Sequence, residues 1–181
     1  MRVIAGSAGG TPLVVPPRGT RPVSDRAREG LFSSLGDAVL DADCLDLFAG
    51  SGALGIEALS RGAATCTFVD TARSAAAAIA RNLERTHLGH RGTVVVRDVG
   101  SFVQQPPARP VDLVFLDPPY EVAGPALDRV CTALEASWLP ERGWTVVVTR
   151  GHKSSLPAVP LHWTARRQLR YGDSLVILYG P

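Results

Sequence analysis

Four aspartates and one glycine-rich turn are the residues of this chain whose types and spacing could do chemistry. Asp117 opens the tetrapeptide Asp117-Pro118-Pro119-Tyr120, which follows the apolar run Val111, Leu113, Val114, Phe115 and Leu116. It therefore stands where a buried strand runs out into a loop. Neither proline can donate to a strand ladder and each fixes its own φ, so the turn is stiff and its carbonyls point outward. A carboxylate and a carbonyl held beside an aromatic ring can grip a flat ligand that bears an amine. Taken alone, these residues need be no more than the end of a strand. A second motif upstream changes that: Gly50-Ser51-Gly52-Ala53-Leu54-Gly55 matches G-x-G-x-x-G, and Asp70 follows Gly50 by twenty residues. Positions without side chains let a ligand approach the backbone, and an acid at the end of the next strand can accept from both hydroxyls of a ribose.

That spacing alone fits a dinucleotide, and two further acids argue for a different nucleoside. Asp46 lies inside the preceding strand, four residues before Gly50, and Asp98 follows the third strand. A pyrophosphate among these carboxylates would be a desolvated anion beside anions, at a cost of several kcal/mol. A nucleoside that carries a sulfonium and an aminoacyl group suits the same acids. Asp46 could instead serve as a helix-cap or turn acceptor.

The elements that must position these groups alternate in type. Strands are predicted at 44–48, 65–69, 93–96, 111–116 and 144–149. Between them lie a helix at 53–61 with Leu54, Ala58 and Leu59 on one face, an alanine-rich helix at 71–87 with Ile79 and Leu83 inward, a short helical stretch around Phe102, and a helix at 126–136. Such alternation means parallel βαβ units and a sheet buried on both faces. The last segment breaks the rhythm: 162–171 and 174–179 read as strands joined at Gly172-Asp173, an antiparallel hairpin at the sheet edge. At the other end, 3–5 and 13–15 read as a small hairpin appended to the core. A basic linker with Arg18 and Arg21 follows, and Ser24 is placed to cap a helix through Ala27, Leu31, Phe32 and Leu35. Arg26 and Arg28 fall near its start, where contact with phosphates and plain solvation are both open.

At 181 residues, 45% hydrophobic and 20% charged, the chain reads as one soluble domain, with no apolar run approaching a membrane span. Its first residues are too short and strand-like for a signal peptide, and a cytoplasmic location is expected. Cys44, Cys66 and Cys131 lie far apart in apolar runs and read as core fillers, and no histidine has a partner at metal-ligand spacing. The net charge of +2 hides an asymmetry: residues 1–30 carry +3, 31–140 carry −5 and 141–181 carry +4. Basic ends beside a ligand pocket suit a polyanion, nucleic acid ahead of other partners.

Asp46-Leu47-Phe48-Ala49-Gly50-Ser51-Gly52-Ala53-Leu54-Gly55, then Asp70, Asp98 and Asp117-Pro118-Pro119-Tyr120, resembles the ordered motif set of S-adenosylmethionine-dependent methyltransferases that modify exocyclic amines. More narrowly, Arg2-Val3-Ile4-Ala5-Gly6, the stretch from Arg21-Pro22-Val23 to Arg28-Glu29, and Gly52-Ala53-Leu54-Gly55-Ile56-Glu57-Ala58-Leu59-Ser60-Arg61 resemble the RsmD family of bacterial small-subunit ribosomal RNA guanine methyltransferases. The resemblance covers nearly the whole chain. It implies an α/β, Rossmann-like class I methyltransferase fold with a mostly parallel seven-stranded sheet. Residues 1–40 would form an RNA-contacting hairpin, linker and helix, and 41–181 the catalytic domain. S-adenosylmethionine would lie against Asp46, Phe48, Ala49, Gly50, Ser51 and Gly52, with Asp70 at the ribose, Asp98 and Val99 at the adenine, and its methyl facing Asp117. Asp117 and the Pro118 carbonyl would accept from a guanine 2-amino group while Tyr120 stacks on the extruded base. Arg18, Arg21, Arg26, Arg28 and Tyr120 would contact 16S ribosomal RNA, in a partly or fully assembled small subunit. Neither a metal nor a membrane is implied.

Other readings use some of the same residues. An adenine or cytosine amino-methyltransferase acting on DNA could use the turn, but the chain has little room for a target-recognition domain. A protein glutamine methyltransferase commonly has asparagine where Asp117 stands. A non-catalytic RNA-binding assembly factor would not need the intact acids and glycines. A nicotinamide dehydrogenase lacks its catalytic groups here, and the one lysine is Lys153.

Overall fold

A computed structural model describes residues 1–16, 24–119, 121–122, 124–151 and 154–181. The strands are β1 (Asp43–Leu47), β2 (Thr65–Asp70), β3 (Gly92–Val96), β4 (Leu113–Leu116), β5 (Thr145–Gly151), β6 (Thr164–Tyr171) and β7 (Ser174–Gly180). They form one seven-stranded sheet in the order β3-β2-β1-β4-β5-β7-β6. The first five are parallel, and β7 and β6 are antiparallel, so the mostly parallel sheet with a terminal hairpin is as the sequence predicts. Gly172 takes a φ of +55°, which lets two residues reverse the chain between β6 and β7.

Helices cover both faces. They are α1 (Asp25–Leu35), α2 (Ala53–Ser60), α3 (Arg73–Arg85), α4 (Val99–Val103) and α5 (Gly124–Ala133). Strand side chains alternate between two cores: Cys44, Leu113, Phe115 and Val147 face one cluster, and Leu45, Leu47, Val114, Leu116, Val146 and Val148 the other. Ser24 caps α1 as its position suggests, its hydroxyl accepting from the Ala27 amide at 3.2 Å.

Two expectations need correction. The N-terminal segment folds back on itself as a hairpin, the Val3 and Leu13 amides donating to the Thr11 and Met1 carbonyls, but it has no regular strands and is not an appendage. A single antiparallel bridge joins Arg2 and Pro12, and Val3, Ala8 and Leu13 are buried in the α1–α3 core. The second correction follows from the first. Helix α2, read as apolar on one face, is buried at every residue because the N-terminal segment covers its polar side. The Glu57 carboxylate accepts from the amides of Ile4 (2.7 Å) and Ala5 (3.1 Å), and Ser60 Oγ accepts from Ala8 at 2.9 Å. Buried polar groups need partners, and Glu57 and Ser60 find them in the amides that the hairpin itself leaves unpaired.

Candidate active site

Strand β1 has β2 on one side and β4 on the other; the crossover from β1 to β2 packs α2 on one face of the sheet, and the crossover that enters β4 packs α4 on the other. A crevice therefore opens at the carboxyl ends of β1 and β4. The chain leaves β1 through Phe48, Gly50 and Gly52, with φ of +60°, +56° and +75°, before entering α2. The glycines serve different ends. At Gly50 a Cβ would meet nothing nearer than the Phe48 carbonyl at 3.9 Å, so the residue answers to the backbone and leaves an open surface. At Gly55 a Cβ would run into the Phe68 ring and lie 2.6 Å from Cys66 Sγ, so that glycine lets α2 sit against β2.

A cavity of about 280 Å³ occupies the crevice. Asp46, Phe48, Ala49, Gly50 and Ser51 line it from the end of β1, Asp70 and Thr71 from β2, and Asp117 and Pro119 from β4. Val15, Pro16 and Arg28 close it from the N-terminal side. Asp46 does two jobs. Gly52 offers no side-chain cap, so Asp46 Oδ2 accepts from the Gly55 amide in the first turn of α2 at 2.9 Å, and the carboxylate still lines the cavity. Asp70 fixes the loop by accepting from the amides of Gly50 through Oδ2 and Ala72 through Oδ1, both at 2.9 Å. Each oxygen has two lone pairs, so capacity for ribose hydroxyls remains.

Acidic groups crowd the cavity. Burial pushes the Asp46 carboxyl well above the usual carboxylate range against the pull of the Gly55 amide, and the charges of Asp117 and Asp70 push it further. Burial also raises Asp117, to about 7, while Arg150 draws it down. Among the described residues the one arginine in the lining is already committed: Arg28 Nη2 donates to Asp25 at 2.6 Å and to the Arg2 carbonyl at 2.7 Å, and Nη1 lies 3.7 Å from Glu57.

The family model described as "Conserved hypothetical protein 95" matches residues 1–180. Ribosomal RNA small subunit methyltransferase D of Escherichia coli is 38% identical over 181 residues, covering 99% of this chain and 89% of that relative. The protein of the same name from Haemophilus influenzae is 35% identical over 184 residues, covering 99% and 93%. The chain belongs to the RsmD family. The solved structure of yhhF from Escherichia coli, 38% identical, matches with a TM-score of 0.88 over 99% of this chain and 97% of that one. The class I methyltransferase fold is thus shared across the whole length of an RsmD-family chain.

Against this frame of an RsmD-family site, Asp46, Phe48, Ala49, Gly50, Ser51, Asp70 and Asp117 converge on one cavity. Gly52 does not line it: a Cβ there would press on Ile79, Ile56 and Phe68 at 3.1–3.3 Å, so packing demands this glycine. Asp98 is exposed and caps α4, accepting from the Ser101 amide at 2.8 Å. It lines a neighbouring cavity of about 580 Å³ with Ser101 and Gln104, and Phe48 belongs to both cavities. Val99 is only 1% exposed and its side chain packs in the α4–α5 core. Pro118 is buried, and its neighbour Pro119 forms the wall. Arg28, expected on a phosphate-facing surface, is 0% exposed and locked into ion pairs; α1 turns it inward. Arg26 is exposed. Tyr120, Arg18 and Arg21 lie outside the described residues.

Sequence reasoning missed Asn82 and Arg150. Asn82 is fully buried on the inward stripe of α3, where its amide donates to the Val14 and Ser51 carbonyls, both at 2.9 Å, tying the N-terminal segment to the glycine loop. An amide among Ala75, Ala78, Ile79 and Leu83 is a signal the periodicity could have shown.

Proposed function

We propose that the protein transfers a methyl group from S-adenosylmethionine to the exocyclic 2-amino group of a guanine in small-subunit (16S) ribosomal RNA. The observation that carries the reading is the convergence of Asp46, Asp70 and Asp117 on one cavity at the carboxyl edge of the sheet. The donor set fits the cofactor: among the described lining residues three aspartates face one arginine, whose charge is already matched, so a cation is welcome and a pyrophosphate is not. Asp70 would hold the ribose, the 49–51 backbone and Asp46 the aminoacyl end, and Asp98 the adenine amine across Phe48. Bound there, S-adenosylmethionine supplies a methyl group on a sulfonium, electrophilic enough that no strong base is needed.

The remaining work belongs to the turn after β4. A guanine 2-amino group has its lone pair delocalised into the ring and is a poor nucleophile until acceptors orient it. The Asp117 carboxylate and the Pro118 carbonyl provide two acceptors on a backbone that two prolines stiffen, which fixes the amine before reaction instead of during it. Asp117 can also take the proton the amine releases. The names carried by RsmD-family relatives support ribosomal RNA as the acceptor, and the amine-accepting turn supports an exocyclic nitrogen.

The test is transfer of labelled methyl from S-adenosylmethionine to small-subunit particles from cells lacking this protein, with naked 16S RNA and duplex DNA alongside, followed by mapping of the labelled nucleotide. Label on a single guanine N2 in the RNA is expected. Label on another base, on DNA, or no label on any acceptor overturns the reading.

A further inference from the structure

Arg150, near the end of β5, is 3% exposed and joins two loops. Its Nη1 donates to the Pro119 carbonyl at 3.3 Å, Nη2 to the Val122 carbonyl at 3.4 Å, and Nε to the Ser155 carbonyl at 3.3 Å. The Pro119 carbonyl also accepts from the Val122 amide at 3.1 Å, closing the turn on itself. One planar donor fork thus spans the segment that carries Asp117 and the segment that follows β5, a geometry that a point-charge ammonium cannot reproduce. The same guanidinium attracts the Asp117 carboxylate.

We propose that Arg150 is the positioning residue of the methyl-transfer turn: it pins the Pro119 and Val122 carbonyls so that Asp117 and Pro118 present their acceptors in one arrangement, and it keeps positive charge behind Asp117. The proposal rests on the reading of Asp117 given above. Arg150 touches neither cofactor nor base; it acts through the backbone of the turn and through charge. A protonated Asp117 donates one hydrogen bond where the amine needs an acceptor, so its ionisation sets the acid side of the reaction. Burial moves that ionisation up to about 7, and Arg150 opposes the rise. Among the described residues, the other charged groups that line the cavity with Asp117 are Asp46 from β1, Asp70 from β2 and Arg28 from α1.

The experiment compares the full-length protein with Arg150→Met, Arg150→Lys and Asp117→Asn. It measures methyl transfer to deficient small-subunit particles from pH 5.5 to 9, S-adenosylmethionine affinity and thermal stability. Arg150→Met is expected to lower kcat about tenfold or more at neutral pH, to leave donor affinity within about threefold, and to move the acid limb of the rate profile to higher pH. Arg150→Lys should keep the limb near its native position, because the charge remains, while kcat falls because the fork is lost. Native kcat and limb in Arg150→Met overturn the proposal. So does a loss of rate, donor affinity and stability together, equal in both arginine variants, which is the mark of a merely structural residue. Asp117→Asn separates the two readings: if it keeps native turnover, the reading of Asp117 falls, whereas if it abolishes transfer while Arg150→Met behaves as native, the Arg150 assignment falls alone.

Discussion

Asp117 is held where its own ionisation works against the fold. Burial raises its proton affinity from 3.8 to about 7, so the native state binds the proton more tightly than the unfolded chain. The stability this confers is complete below pH 3.8 and is lost as pH rises through about 7. Asp46 shifts in the same direction for the same first cause. Asparagine at 117 should therefore raise Tm at pH 8, with the gain vanishing near pH 4, while methyl transfer falls by about 100-fold or more. The stabilisation has a ceiling of about 4 kcal/mol, which water in the open cavity reduces. Melting curves of the two proteins at pH 4, 6 and 8 check it, and a variant less stable than native at pH 8 would contradict the account. Local spacing was enough to find Asp46, Asp70 and Asp117. It could not reveal Arg150, whose partners lie thirty-one and twenty-eight residues away across two loops. Nor could it tell that Arg28 points inward, since Glu57 reaches it only through the fold.

Among the elements, the connection from β1 through α2 to β2 is the most closely fitted. Because α2 rests on β2 through Gly55, Gly55→Ala should destabilise the protein by about 1–3 kcal/mol, read by thermal or denaturant unfolding. The control is Gly89→Ala, where a Cβ would meet nothing within 4 Å, with a change of no more than about 0.5 kcal/mol. Equal effects of the two would show that close packing is not what Gly55 supplies. The alternation of strand and helix, the terminal hairpin and the α1 cap were legible in the sequence because each depends on neighbours a few residues apart. The N-terminal hairpin was misread as an appendage because glycines and short apolar runs describe a projecting hairpin and a docked one equally well. What distinguishes them is Glu57, Ser60 and Asn82, which wait on α2 and α3 for its backbone groups.

For the whole molecule, the basic ends are not one surface. Arg26 is exposed on α1 while Arg28, two residues on, is sealed inside. Arg26→Ala should weaken RNA binding and reduce the slope of log affinity against log salt by about one, with Tm unchanged. Arg28→Ala should instead cost about 1–3 kcal/mol of stability, because it removes the buried donor to Asp25 and the Arg2 carbonyl, while Glu57 keeps Arg61 at 2.7 Å and the amides of Ile4 and Ala5. Salt titrations of RNA binding and melting curves on both variants separate the roles, and a shared phenotype would contradict them.

The placement of β7 between β5 and β6 reaches back to the chain's synthesis, since the central strand of that trio is made last. Nascent β6 emerges with no strand to pair with, and the flank of β5 stays bare until residues 174–180 follow. Composition makes the delay tolerable: the 164–171 segment carries Arg166, Arg167 and Arg170 and is largely solvated even in the finished protein, so waiting copies repel one another. The sticky stretch, Leu175-Val176-Ile177-Leu178, arrives only when both of its docking partners already exist.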